Sequence, residues 1–391
     1  MNKPFFPGKI RTEYLLFGQP LIEEAEIAEV VASMRAGWLG TGPKVAEFER
    51  RVAAYKGVRH AVAVNSCTAG LHLACVALGL GPGDEVIVPA MTFCATVNAV
   101  IHAGATPVLA DVNAETLNLE ASDVRRRLTP RTRAIVPVHF AGRACDMAAL
   151  TAIAREHGLK IIEDCAHAIE TEQDGRKAGA WGECGVLSFY STKNIVTGEG
   201  GMVLTDDAAL AARIQRLALH GMSHDAWRRF SDDGYRHYEL IEIGYKYNMT
   251  DLHAAIGMHQ IERVEAQWER RRAIWERYDR AFADLPVQRP AAIAPGSRHA
   301  RHLYHVLLDP RRAPVTRDAF MAALHARRIG TGVHYRAIPA HPVYRERFGW
   351  KLEDYPNAAA IGETTVSLPL SARLTEEDVE DVIRAVREVL G

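Results

Sequence analysis

The sequence predicts an α/β protein, with a mostly parallel central sheet in a large domain and a smaller α+β domain at the C-terminal end. Short β-rich runs alternate with helical patterns from about residue 60 to residue 220, the rhythm of a parallel sheet. Several of those runs are apolar throughout rather than alternating, as expected when helices cover both faces. After Tyr247 the pattern changes to a long helical stripe, then a strand and two more helices.

In chain order, strands are expected at 61–65, 85–89, 106–110, 134–138, 160–163, 186–190 and 202–205. Between them, helices are expected at 69–78, 92–102, 146–157 and 208–220, with turn signals such as Gly81-Pro82-Gly83-Asp84 just ahead of a strand. Ile261, Val264, Trp268, Trp275, Tyr278 and Phe282 recur at steps of three, four or seven, which predicts one long amphipathic helix. Arg270-Arg271-Arg272 reads as part of its solvated face. Residues 283–300, with Pro286, Pro290 and Pro295-Gly296, form a connection to a strand at 303–308 and helices at 316–328 and 375–389. The expected division is an N-terminal segment packing on the small domain (1–26), a large domain (27–255) and the long helix with the small domain (256–391).

With 391 residues, 48% of them apolar, the chain can bury a substantial core. Lysine plus arginine number 47 against 48 acids, a formal charge of −1, which gives no support for binding nucleic acid or a membrane surface. The six cysteines form no CxxC pair and read as reduced interior thiols. There is neither a signal-peptide-like start nor a window of about 18 continuous apolar residues, so a cytoplasmic protein is expected. The 17 histidines show no HxH or HExxH spacing, so no metal is expected.

The chemistry-bearing residues follow the strands. Asp164 closes one apolar run and Lys193 follows the next, in Ser188-Phe189-Tyr190-Ser191-Thr192-Lys193-Asn194. A pyridoxal 5'-phosphate (PLP) enzyme requires that pair. The ε-amine forms a Schiff base with the cofactor's aldehyde, and the carboxylate keeps the pyridine nitrogen protonated so that the ring accepts electrons. Asn65-Ser66-Cys67-Thr68-Ala69-Gly70 ends a strand and opens a helix, where free N–H groups and the helix dipole favour a phosphate; an ordinary helix cap would look the same. Phe93, just beyond a strand end, could stack on a planar ring or simply fill the core. His167 could orient Asp164 or touch a ring substituent, Ser188 could bond the phosphate, and Gly198-Glu199-Gly200-Gly201 lets the backbone fold closely around the site.

Taken together, these residues resemble the sugar aminotransferases of the DegT group, PLP enzymes of the aspartate-aminotransferase fold (fold type I). Further matching stretches are Gly37-Trp38-Leu39-Gly40-Thr41-Gly42-Pro43 with Phe48-Glu49, Glu163–His167, Gly244–Asp251 and Gly332-Val333-His334-Tyr335. The resemblance implies that Lys193 holds PLP, Asp164 meets its ring nitrogen and Phe93 stacks on the ring. It also implies that Thr68, Ala69 and Ser188 bind phosphate and that His167 lies at the cofactor. Asn248 would reach the phosphate of a neighbouring subunit, making a homodimer with shared sites. Trp38, Tyr190, His334 and Tyr335 would lie near the substrate. The implied reaction moves an amino group from L-glutamate to a nucleotide-linked 4-keto sugar. Within the group the likeness is greatest to the enzymes making UDP-4-amino-4-deoxy-L-arabinose, although Tyr190 stands where those carry histidine. Two other readings fit the same residues, a keto-inositol aminotransferase and a non-catalytic PLP-binding regulator.

Overall fold

The computed structural model describes residues 10–223 and 238–391. Seven strands form the central sheet: β1 (His60–Val64), β2 (Glu85–Pro89), β3 (Thr106–Ala110), β4 (Thr132–Ile135), β5 (Lys160–Asp164), β6 (Cys184–Ser188) and β7 (Gly201–Thr205). Their order is β1-β7-β6-β5-β4-β2-β3, parallel except at β7, which runs against both of its neighbours. Every residue of β2 and β7 is buried, the burial that an unbroken apolar run requires. Helix Cys67–Ala77 lies so close to the sheet that a Cβ at Gly70 would come within 2.5 Å of Val186 Cγ1. Glycine here is a packing requirement.

A second, three-stranded antiparallel sheet pairs Tyr304–Leu308 with Val287–Gln288 on one side and Thr365–Leu368 on the other. Helices Arg317–Ala326 and Glu376–Leu390 share its core, with Phe320, Leu324, Val382 and Val386 buried. Leu15 joins that core and bridges to Ile329, while Arg11 pairs with Asp378 and Asp381 at 2.6 Å each. No helix among the described residues is long and apolar enough to cross a membrane.

Three expectations change. The long stripe is two helices, Asp251–Glu262 and Val264–Ala281, broken at Arg263 (φ −100°, ψ 4°). There the Arg263 N–H turns back to Gln260 O at 3.2 Å, and its guanidinium pairs with Glu23 and Glu26 of helix Glu24–Arg35. Secondly, Arg271 is not solvated. It is 2% exposed and forms an ion pair with the fully buried Glu170, while Arg270 and Arg272 do face acids at the surface. Thirdly, β6 ends at Ser188, two residues earlier than the predicted strand. Phe189 donates to Gly200 O (2.9 Å) and accepts from Thr197 N–H (2.8 Å), so the chain folds back on itself around Lys193.

Candidate active site

The site forms at the C-terminal end of the parallel strands, where open α/β sheets place their ligands. Asp164 is the last residue of β5, and its position is fixed from behind. The preceding residue, Glu163, is fully buried and accepts from His139 Nε2 (2.9 Å), Gly179 N–H (2.8 Å) and Trp181 N–H (2.7 Å). His139, Glu163 and Cys165 lie within ligand distance of one another. However, His139 Nδ1 accepts from Cys145 N–H at 3.1 Å, so its Nε2 carries the proton shared with Glu163 and has no lone pair for a metal.

Asp164 itself is 5% exposed. Its Oδ2 accepts from Thr96 Oγ1 at 2.8 Å and its Oδ1 from Ala166 N–H at 3.1 Å. Burial raises its pKa above the usual carboxylate value, against the pull of those two donors and of Lys193. Among the described residues no arginine, lysine or histidine pairs with it. Sequence reasoning missed Thr96, which lies 68 positions away on helix Cys94–His102 and shares no motif with Asp164.

The cleft above Asp164 holds about 360 Å³. It is lined by Thr68, Ser188, Lys193 and His167 and by the rings of Phe93, Tyr190 and Tyr335. Phe93 is 56% and Tyr190 45% exposed, whereas Tyr335 sits 5.8 Å from Phe93, ring centre to ring centre. His167 Nδ1 accepts from Ala141 N–H (3.2 Å), which leaves the proton on Nε2, 3.1 Å from Tyr335 Oη. Burial holds this imidazole neutral, with a pKa well below the ordinary histidine value.

Four predicted residues lie apart from the cleft lining. Ala69 sits just inside the helix, its N–H already donated to the N-cap Ser66 Oγ at 3.1 Å. Asn248 donates to Thr41 Oγ1 (2.6 Å) in a separate depression, and Trp38, 49% exposed, donates to Thr41 O at 3.2 Å. His334 bonds Ser367 Oγ at 2.9 Å behind Tyr335, neutral, with its pKa pushed down to about 3 by burial.

Several observations show that the residues fit PLP. A buried carboxylate without a cation faces the cleft, matching a pyridinium N–H. At the helix start the backbone is so crowded that a Cβ on Gly201 would sit 2.6 Å from Cys67 N, so only glycine lets the strand pass this close to the helix N-terminus, where an anion is favoured. Lys193 is partly buried, and its amine pKa falls to about 8 because desolvation outweighs the attraction of Cys67 and Asp164.

That shift has a measurable consequence. The neutral amine is the nucleophile, and at pH 7.5 a pKa near 8 leaves about a quarter of it neutral, against about a thousandth for an ordinary lysine. The rate of PLP capture by cofactor-free protein, followed by absorbance, should therefore rise with pH and level off above about pH 8.5. A rise that continues to pH 10 would show an unperturbed amine.

Comparison with known proteins agrees with this chemistry. Residues 20–387 match the DegT/DnrJ/EryC1/StrS aminotransferase family. Over 381 residues the chain is 48% identical to the spore coat polysaccharide biosynthesis protein SpsC of Bacillus subtilis, covering 97% of this chain and 98% of the relative. Among solved structures, the putative sugar aminotransferase Spr1654 of Streptococcus pneumoniae in its PMP (pyridoxamine phosphate) form superposes with a TM-score of 0.89 at 33% identity, covering 96% and 97% of the two chains. A PLP form of the same protein also matches, with a TM-score of 0.89 at 32% identity over 97% of this chain and 100% of that one. Helicobacter pylori PseC, an aminotransferase of pseudoaminic acid biosynthesis, matches with a TM-score of 0.90 at 25% identity over 97% and 99% of the chains.

Proposed function

The chain belongs to the DegT/DnrJ/EryC1/StrS aminotransferase family, and from that premise we propose that it carries the amino group of L-glutamate to the 4-keto carbon of a nucleotide-linked sugar. It is a PLP-dependent aminotransferase of fold type I. The observation that carries the finer reading is the cleft itself. It is lined by a lysine, a buried acid and three aromatic rings, of which Tyr190, 45% exposed, is free to pack on a large substrate once Phe93 meets the cofactor.

When bound, PLP supplies an electron sink and a carrier for the amino group. In this reading Lys193 attaches it, and Asp164 holds a proton on its ring nitrogen. Phe93 would stack on the ring, and His167 would contact a ring substituent. Thr68, Ala69 and Ser188 would take the phosphate, the Ala69 N–H sharing its donation between the phosphate and Ser66 Oγ. The Lys193 amine then takes the proton from the α-carbon of glutamate and holds it at Nζ for return, a task suited to a pKa near 8. Burial raises the Asp164 pKa, so a cation facing it favours the charged form, which couples the acid's ionisation to occupancy of the site. Release of 2-oxoglutarate precedes entry of the sugar, so ping-pong kinetics follow.

A cytoplasmic homodimer with shared sites completes the proposal, with Asn248, Trp38 and His334 serving the partner's cofactor or the substrate together with Tyr190 and Tyr335. Two observations support it. Ile27, Val31 and Met34 form an apolar stripe on helix Glu24–Arg35 that is 49%, 36% and 61% exposed, and Ile243 is 94% exposed. Asn248 also lies outside the cleft of its own chain. Isologous pairing would cover the stripe and build two sites at once. If sites are shared, mixing inactive Lys193→Ala and Asn248→Ala subunits should restore about a quarter of wild-type sites, because half the dimers are hybrid and each hybrid has one intact site.

The substrate is tested with a panel of nucleotide-linked 4-keto and 3-keto sugars and scyllo-inosose, with glutamate or glutamine as donor and the released oxo-acid as the readout. A nucleotide-linked 4-keto sugar should exceed the others in kcat/KM by at least about 10²-fold. Preference for scyllo-inosose would replace this reading with keto-inositol transamination.

A further inference from the structure

We propose that Asn194, anchored by Glu170 and Arg271, is a positioning residue that aims the Lys193 amine; this rests on Lys193 being the cofactor lysine. Asn194 is 8% exposed, and its Nδ2 donates to Glu170 Oε2 at 2.8 Å and Ala300 O at 3.0 Å. A carboxylate and a carbonyl only accept, so the amide cannot be turned over. Its Oδ1 therefore faces His302 Nδ1 at 2.9 Å, which must carry the proton. The His302 ring lies 4.4 Å from that of His167, centre to centre, so the orientation of one amide reaches a residue that lines the cleft.

The other Glu170 oxygen takes the Arg271 guanidinium, and both residues are buried. Neither lines the cofactor cleft. A buried ion pair is a weak source of stability, because desolvation cancels most of its attraction, but it fixes direction strongly. A small cavity of about 20 Å³ is lined by Lys193, Asn194, Gln267 and Arg271, so the lysine and its anchor border one space. Hydrogen bonds through Asn194 add a directional restraint to the packing of Ile195 and Val196, one peptide away from the reacting lysine.

Pyridoxamine phosphate separates aiming from folding, because it shares the contacts of PLP but forms no bond to Lys193. In Asn194→Ala, the first half-reaction with glutamate should slow about 10²-fold, the loss expected for an amine displaced by about 1 Å. PLP affinity should fall about 10-fold while pyridoxamine phosphate affinity stays within about twofold. The double variant Glu170→Ala/Arg271→Met removes the anchor without stranding a buried charge and should show the same split. The triple variant should be no worse than either, since all act through one restraint. Equal losses of both cofactor forms, an unchanged half-reaction, or additive losses in the triple variant would each overturn the proposal. Wild-type protein in which borohydride fixes no PLP onto Lys193 would instead overturn the premise, before any variant is made.

Discussion

Replacing Lys193 with alanine should lower transamination by about 10⁴-fold or more while leaving the cofactor bound but unattached. The alanine removes both the point of attachment and the base that carries the α-proton, whereas Thr68, Ser188 and Asp164, the proposed holders of the phosphate and ring nitrogen, are untouched. Protein purified with PLP should keep the cofactor through gel filtration, and borohydride should fix none of it to the chain. The fold should survive. Among the described residues Lys193 makes no side-chain hydrogen bond to protein, and a desolvated amine with a pKa pushed down to about 8 is a charged burden at neutral pH. Its loss should therefore leave the melting temperature of the cofactor-free protein unchanged or raised. A small primary amine such as ethylamine, which fits the space vacated, should restore part of the half-reaction in proportion to its neutral fraction. Near-normal turnover by Lys193→Ala would end the assignment.

How far the residues could be read without coordinates depends on the kind of signal each carries. The runs expected at 85–89 and 106–110 coincide with β2 and β3, because an apolar run between glycine and proline punctuation is a strong local signal. The reversal of β7 carried no such signal. A short buried strand looks alike in either direction, and the turn-back of residues 189–200 that reverses it is set by long-range hydrogen bonds. Asp164 and Lys193 could be found because each follows a strand that the sequence marks clearly. Thr96, Glu170 and Arg271 could not, since Glu170 and Arg271 meet across 101 positions and an arginine run at helical spacing looks solvated until its partner is known. Helices Glu24–Arg35 and Pro43–Lys56 were unmarked for a different reason. The apolar residues of the first face outward, and the cues of the second, proline at its start and a left-handed Gly57 (φ 69°) at its end, were not weighed.

Asp164→Asn should have opposite effects on the loaded and the empty protein. In the loaded enzyme the carboxylate faces the cofactor's ring nitrogen, and losing one member of a buried charge pair costs about 3–5 kcal/mol, or roughly 10²–10⁴ in rate if the cost falls on the transition state. In the empty protein the same carboxylate is buried with two hydrogen bonds and no cation, and burial raises its pKa. A folded-state pKa above the unfolded value means that the acid favours folding only while protonated. Its contribution is complete below the unfolded pKa and is lost as pH rises through the raised value. Above that raised pKa the empty protein carries an unpaired buried charge, which asparagine removes while keeping the shape and, through its carbonyl, the bond from Thr96. Scanning calorimetry of cofactor-free protein should show Asp164→Asn melting at or above wild type at pH 7, with the advantage vanishing as pH falls toward 4. Added PLP should raise the melting temperature of wild type more than that of the variant. An empty variant clearly less stable than wild type at pH 7 would mean that Asp164 serves the fold rather than the ring nitrogen.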